Sequence, residues 1–229
     1  MHMQKLSRTK IELFTNCPRC FWLDVKQGVK RPFGPPFTIN NAVDYLMKQE
    51  FDVHRADGTP HPVMVANNID AVPYQHEEMD KWRHNFTGVQ VKYAPTDFLL
   101  TGAVDDVWVN PKGELFVVDY KATGANEHKI HDSYRRQMEI YQWLLRGNGY
   151  RVSGTGYFVF AKVNKGEGFG HGHPVLPFNF FVEAMVGDDS WIPATLARMR
   201  EALDSDVAPQ PSPDCEYCAY RARADQFDS

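Results

Sequence analysis

The segment Val104-Asp105-Asp106-Val107-Trp108-Val109-Asn110-Pro111-Lys112-Gly113-Glu114-Leu115-Phe116-Val117-Val118-Asp119-Tyr120-Lys121 decides the fold. Its centre, Asn110-Pro111-Lys112-Gly113, carries Asn, Pro and Gly at the first, second and fourth places of a type I turn. Gly113 can take the left-handed conformation that closes a three-residue hairpin loop with a bulge. The flanking runs, Phe98 to Asn110 and Glu114 to Ala122, are rich in Val, Leu, Phe and Trp and read as strands. Pairing Asn110 with Glu114 fixes the register and sets Asp105 opposite Asp119. The two Cβ atoms are then expected about 4.5–5.5 Å apart on one face. Lys121 shares that face with Asp119 because side chains alternate along a strand.

Lone buried charges are strongly disfavoured, so two carboxylates and a lysine on one sheet face have no packing rationale. Val117 and Val118, with Val104 and Val107 opposite, give the strand pair a buried character. An exposed ion pair on an edge hairpin is the competing account, and for a single Asp–Lys pair it is the usual one. The whole set is better matched by a hard cation with oxygen ligands in octahedral geometry, which suits magnesium. A divalent ion there would polarise a phosphoryl oxygen and acidify a water, while Lys121 orients or stabilises the attacking hydroxide.

Outward from the hairpin, Tyr134 to Arg146 reads as a helix with Met138, Tyr141 and Leu145 on one stripe, and Thr155 to Val163 as a further strand. Asn40 to Arg55 is helical, with Ala42, Val43, Leu46, Met47 and Phe51 on helical spacing. Ser7 to Asp24 is also helical, with Thr9 and Glu12 at capping-box spacing and a break expected at Pro18. Asp189 to Leu203 is the last helix before a proline-rich stretch. Lys30 to Thr38 reads as an irregular connector and Lys165 to Pro174 as a glycine-rich mobile loop, in which His171 and His173 are loop residues rather than ligands. Strands and helices in this order make one α/β or α+β domain.

The chain has 229 residues, of which 43% are hydrophobic and 24% charged, enough for one hydrophobic core. A formal charge of −4 argues against coating nucleic acid by bulk charge, but not against an enzyme with clustered basic residues. No apolar run is long enough to span a membrane, and Met1-His2-Met3-Gln4-Lys5 lacks a signal peptide's apolar stretch, so a cytoplasmic location is expected.

Gly102-Ala103-Val104-Asp105, then Asp119-Tyr120-Lys121, then Gln137-Met138-Glu139-Ile140-Tyr141 resemble, in order and spacing, the PD-(D/E)XK nuclease superfamily. Within it they are similar to the RecB-type exonuclease domains and the CRISPR-adaptation nucleases. The resemblance runs from Ser7 to Tyr220. It implies a single restriction-endonuclease-like α/β domain, with a central mixed β-sheet flanked by helices and a core of about 38–204. It further implies a metal-dependent nuclease that hydrolyses DNA phosphodiester bonds as an exonuclease, on single strands or duplex ends. Asp105 and Asp119 would hold Mg2+ or Mn2+, assisted by Asp44 and the Tyr120 carbonyl, and Lys121 would position the water. Gln137 and Tyr141, four apart on one helix face, would reach the cleft or the substrate backbone. The family usually has a histidine ligand in an early helix; this chain has Asp44 there. That departure, with the acidic net charge, gives weight to a second reading, a non-cleaving module that binds DNA ends or a partner. Arg135 and Arg136 are accounted for equally by phosphate contacts and by helix surface charge.

Cys17-Pro18-Arg19-Cys20 and Cys215-Glu216-Tyr217-Cys218 use every cysteine in the chain, a specific pattern for a four-thiolate site holding zinc or an iron–sulfur cluster. The resemblance implies a 4Fe–4S cluster, although the family pattern of one early and three late cysteines is met only by Cys17, Cys215 and Cys218. Structural zinc is the alternative. Either would join the terminal segments, 7–24 and 209–221, around the core.

Overall fold

The computed structural model describes residues 3–32, 34, 38–166, 172 and 174–227. His171 and His173, with most of the glycine-rich loop, lie outside the described residues, as does part of the 30–38 connector. In chain order the first elements are β1 (Gln4–Ser7), α1 (Arg8–Asn16), α2 (Pro18–Gln27), α3 (Thr38–Asp57), α4 (Pro62–Ala66) and β2 (Val72–Pro73). Then come α5 (Met79–Arg83), β3 (Val89–Tyr93), β4 (Phe98–Gly102), β5 (Asp106–Val109) and β6 (Leu115–Thr123). The chain continues through α6 (Asp132–Gly147), β7 (Thr155–Val163), β8 (Phe178–Val186), α7 (Trp191–Asp204) and α8 (Glu216–Ala224). Among the described residues no helix is long and apolar enough to cross a membrane.

These elements form two compact units, one of Pro36–Val91 and Gly102–Asp189, the other of Met1–Pro35, Lys92–Thr101 and Ser190–Ser229. In the first, a mixed five-stranded sheet runs in the order β2-β5-β6-β7-β8. The Asn110–Gly113 turn closes as its residues require: the Gly113 N–H donates to the Asn110 carbonyl at 2.9 Å, and Gly113 has φ 73°. The Asn110 N–H donates to the Glu114 carbonyl at 3.1 Å, and β5 pairs antiparallel with β6 from Val109↔Leu115 to Asp106↔Val118, the register the turn dictates. Strands β6 and β7 are parallel, so they need a crossover, and α6 supplies it. β8 completes the sheet antiparallel to β7.

Helix α3 lies on this sheet because Val43, Met47 and Phe51 recur every four residues and bury against Trp108, Val118, Tyr120, Val159 and Ala161. Helix α6 buries Met138, Ile140, Leu144 and Leu145. Its approach explains why the apolar run Phe98–Asn110, expected as one strand, is two. A Cβ at Gly102 would stand 2.8 Å from both Tyr141 and Leu144, so the chain passes α6 as glycine and bends through Ala103–Asp105 before β5 starts. β4 and β5 belong to different sheets.

In the second unit β1 pairs in parallel with β4, from Gln4↔Phe98 to Ser7↔Thr101. Helices α1, α2 and α7 pack together around Ile11, Phe14, Phe21, Ile192, Leu196 and Met199. The break at Pro18 falls as expected, with Cys17 as N-cap and Pro18 at the first position of α2. The expected Thr9–Glu12 box does not cap α1: the N-cap is Ser7, two residues earlier, whose hydroxyl meets Thr9 Oγ1 at 2.7 Å rather than capping a backbone N–H, and Ser7 also ends β1. Helix α7 belongs to this unit, and the Cys215–Cys218 segment opens a helix of its own, α8.

Candidate active site and cysteine centre

Asp119 lies in the middle of β6 and is fully buried, with 0% of its surface exposed. Asp105 stands one residue beyond the last ladder couple, and its Oδ2 accepts the Tyr120 backbone N–H at 3.0 Å. The Lys121 ammonium pairs with Asp119 Oδ2. Asp119 Oδ1 accepts from Gln137 Nε2 at 2.7 Å, whereas Oδ2 accepts no hydrogen bond of regular geometry. Burial, and then the Asp105 charge, pushes the Asp119 carboxyl up to about 7 against the pull of Lys121. Burial would also raise Asp105, but the charges of Lys48 and Lys121 and the Tyr120 N–H outweigh it and hold that carboxyl below its ordinary value. For Lys121 the desolvation cost is overcome by Asp119 and Asp105, which keep its ammonium charged.

Helix α3 packs on the sheet's other face, and its Asp44 and Lys48, one turn apart, reach this centre through Asp105, which stands beyond the ladder. Lys48 Nζ donates to Asp44 Oδ2 at 2.8 Å and to Asp105 Oδ1 at 3.0 Å. Asp44 therefore meets Asp105 through an ammonium. Among the described residues, the group of three or more potential metal ligands that converges is the four cysteines, whose sulfurs all lie within 4.8 Å of one another. The acidic donors are nonetheless hard oxygens of the kind a divalent cation takes, with Asp119 Oδ2 already shared with the Lys121 ammonium.

Gln137 and Tyr141 on α6 are both buried. Besides holding Asp119, Gln137 Nε2 donates to the Tyr141 hydroxyl at 3.1 Å, and Gln137 Oε1 accepts from Lys121 Nζ at 3.4 Å. The two thus stand behind Asp119 and Lys121. Tyr134, in the first turn of α6, places its ring 4.6 Å from the Lys121 ammonium.

The opposite face of β5 carries a second charged set that the sequence reading missed. Asp106 is fully buried; Arg55 pairs with it, the Tyr120 hydroxyl donates to its Oδ2 at 2.5 Å and Arg83 Nη2 lies 3.2 Å from its Oδ1. Arg83 also donates from Nη1 to both Asp52 oxygens at 2.8 Å and from Nε to the Asp105 backbone carbonyl at 2.9 Å. Adjacent acids on a strand must point to opposite faces, which was the available signal for Asp106. For Lys48 the signal was its four-residue spacing from Asp44.

In the other unit each C-x-x-C motif opens a helix: Cys17 and Cys215 are N-caps of α2 and α8, and Cys20 and Cys218 follow in the first turns. Unsatisfied N–H groups and the helix dipole favour thiolates there. The sulfurs lie 3.8 Å apart for Cys17–Cys218 and 3.6 Å for both Cys20–Cys215 and Cys20–Cys218, and no disulfide forms among them. Arg31 donates to Cys215 Sγ at 3.4 Å and stacks over Tyr217 at 4.5 Å. Burial raises the Cys17 thiol, but the Cys20 and Ser212 backbone donors and the neighbouring thiols bring it down to about 6. Four soft donors so close together can bind a metal ion.

A family model described as the PD-(D/E)XK nuclease superfamily matches residues 39–223, a span holding every acidic-site residue named above. No curated protein matches the chain. A solved structure titled "Crystal structure of SSO0001" is similar over 97% of this chain and 86% of its own, with 14% identity and a TM-score of 0.47.

Proposed function

The chain belongs to the PD-(D/E)XK nuclease superfamily, and on that premise we propose that it is a Mg2+- or Mn2+-dependent deoxyribonuclease of the RecB-type branch, trimming DNA from its ends. The observation that carries this reading is the set Asp105, Asp119 and Lys121 on one sheet face, with Gln137 fixing Asp119 from behind. Asp105 and Asp119 would hold the ion, joined by the Tyr120 carbonyl. When bound, the ion supplies Lewis-acid polarisation of the phosphoryl oxygen and a more acidic water. Lys121, kept charged by both carboxylates, orients the attacking oxygen and stabilises negative charge as the P–O bond to the leaving sugar breaks. Gln137 and the Tyr134 ring restrict the rotamers of Asp119 and Lys121.

Incubation with end-labelled single- and double-stranded DNA and with closed circular DNA, in Mg2+ or Mn2+, tests this. Linear DNA should shorten progressively while the circle persists, and Lys121→Ala should lose about 10²–10³ in rate. Cutting of the circle would replace exonuclease by endonuclease. DNA-end binding without cleavage would select the non-cleaving module.

For the cysteine centre we favour structural zinc over the 4Fe–4S cluster implied by the resemblance. Zn–S bonds of about 2.3 Å in a tetrahedron put sulfurs roughly 3.8 Å apart, which is supported by the 3.6–3.8 Å separations. A four-iron cube inserts iron and sulfide between its thiolates and needs them much wider apart.

A further inference from the structure

We propose that Lys48 is a second lysine of the acidic centre, a built-in cation between Asp44 and Asp105 that limits the centre to a single divalent ion. This rests on the reading above, that Asp105 and Asp119 hold a divalent ion.

An Asp–Lys pair four residues apart on a helix is ordinarily a solvated surface contact worth a few tenths of a kcal/mol. Lys48 departs from that in two ways. Its side chain is only 20% exposed, lying beside the buried stripe of Val43, Met47 and Phe51. It also has a second partner from a distant part of the chain, Asp105 Oδ1 at 3.0 Å, in addition to Asp44 Oδ2 at 2.8 Å. With the Tyr120 N–H on Oδ2, both oxygens of Asp105 are engaged. An ammonium thus sits where a second divalent ion would have to bridge Asp44 and Asp105.

Charge counting leads to the same place. Asp44, Asp105 and Asp119 carry three negative charges when ionised, and Lys48 and Lys121 return two. One divalent ion brings the centre to +1, which a single phosphodiester neutralises. A second ion would leave strong like-charge repulsion between it and Lys48 at a separation of a few ångströms. In two-ion nucleases the second ion adds positive charge to the site; here the Lys48 ammonium adds one positive charge without being taken up from solution.

Calorimetric titration with Mn2+ on the full chain tests this, using wild type, Lys48→Met and Lys48→Gln, each checked for folding by its melting curve. Wild type should take up one Mn2+ at this centre. Both variants should take up two, or bind the first at least about tenfold more tightly. Unchanged or weaker Mn2+ binding in whichever variant folds overturns the proposal. Asp119→Asn reports separately on the reading beneath it: if Mn2+ uptake survives that change, Asp119 is not a ligand, whatever the Lys48 variants do. If Mn2+ binds neither wild type nor the Lys48 variants, both fall. Binding that appears only when Lys48 is replaced also overturns the proposal, since the wild-type centre would then hold no ion rather than one.

Discussion

Asp105 and Asp119 face each other across the β5–β6 hairpin, yet only Asp119 is held by the sheet; the ladder ends at Asp106↔Val118, one residue short of Asp105. Asp105 is fixed by three side-on contacts instead: the Tyr120 N–H and Lys48 on its carboxylate, and Arg83 Nε on its carbonyl. A carboxylate on a rigid strand and a tethered one thus share the site. Four expectations follow from that arrangement and from the cysteine centre.

Asp119→Asn should abolish Mn2+ binding and cleavage while stabilising the metal-free protein at pH 8. The Asp119 carboxyl is raised from 3.8 to about 7 in the fold, so the folded state binds its proton more tightly than the unfolded state. The stability this confers is complete below about pH 4 and is lost as pH rises through about 7. Asn mimics the neutral acid at every pH. Melting curves without Mg2+ or Mn2+ should show the variant matching wild type near pH 4. At pH 8 it should lie above wild type by at least about 2–4 °C, the shift for 1 kcal/mol in a chain of this size. A lower melting point at pH 8 would contradict the cause assigned to the shift.

Gln137→Ala removes the donor on Asp119 Oδ1 and the acceptor of Lys121. Loss of a partner that orients a metal ligand costs about 10–100-fold in metal affinity or activity. We expect a fall of that size in Mn2+ affinity, read by calorimetry. Equal affinity in the variant would mean that Asp119 is oriented by its strand alone.

Asp106→Asn leaves Arg55 and Arg83 facing a neutral amide inside the fold. Breaking a buried ion pair on one side costs about 3–5 kcal/mol, so the urea midpoint should fall accordingly. Asp52→Asn removes a half-exposed partner of the same arginines and should cost clearly less. Similar losses for the two variants would show that burial of Asp106 is not the source.

Protein purified without oxygen should be colourless and hold about one zinc per chain, and Cys215→Ser should lose both the metal and thermal stability. Because the unfolded chain offers no preformed site, metal binding is part of the folding free energy. Removing the metal should speed amide exchange in α2 and α8 before it reaches the β5–β6 ladder. A brown protein containing iron would restore the 4Fe–4S assignment.

The hairpin register was legible because Asn110-Pro111-Lys112-Gly113 sets it locally, within four residues. Strand β7 was legible for its uniform run of β-formers, and α3 for its four-residue apolar spacing. What escaped depends on partners distant in sequence. Nothing around Gly102 announces that α6 passes over it, so β4 and β5 read as one strand. Gln4–Ser7 has no strand pattern of its own and is extended because β4 offers it a ladder. Lys48 and Asp106 are ordinary charges in sequence, and only the fold gives each a counter-charge from a distant part of the chain.

The cysteine centre also sets an order of events during synthesis. Cys20 precedes Cys215 by 195 residues, so at about 5–20 residues per second the ribosome delivers the first thiol pair roughly 10–40 s before the second. Through that interval Cys17 and Cys20 are an incomplete chelate, open to oxidation or to a borrowed ligand. The five-stranded sheet, whose strands all emerge in between, can close first. Metal supply and cellular redox state can therefore bear on the complete four-cysteine site only after Cys215 and Cys218 have been made, by which point every strand of the five-stranded sheet has already emerged.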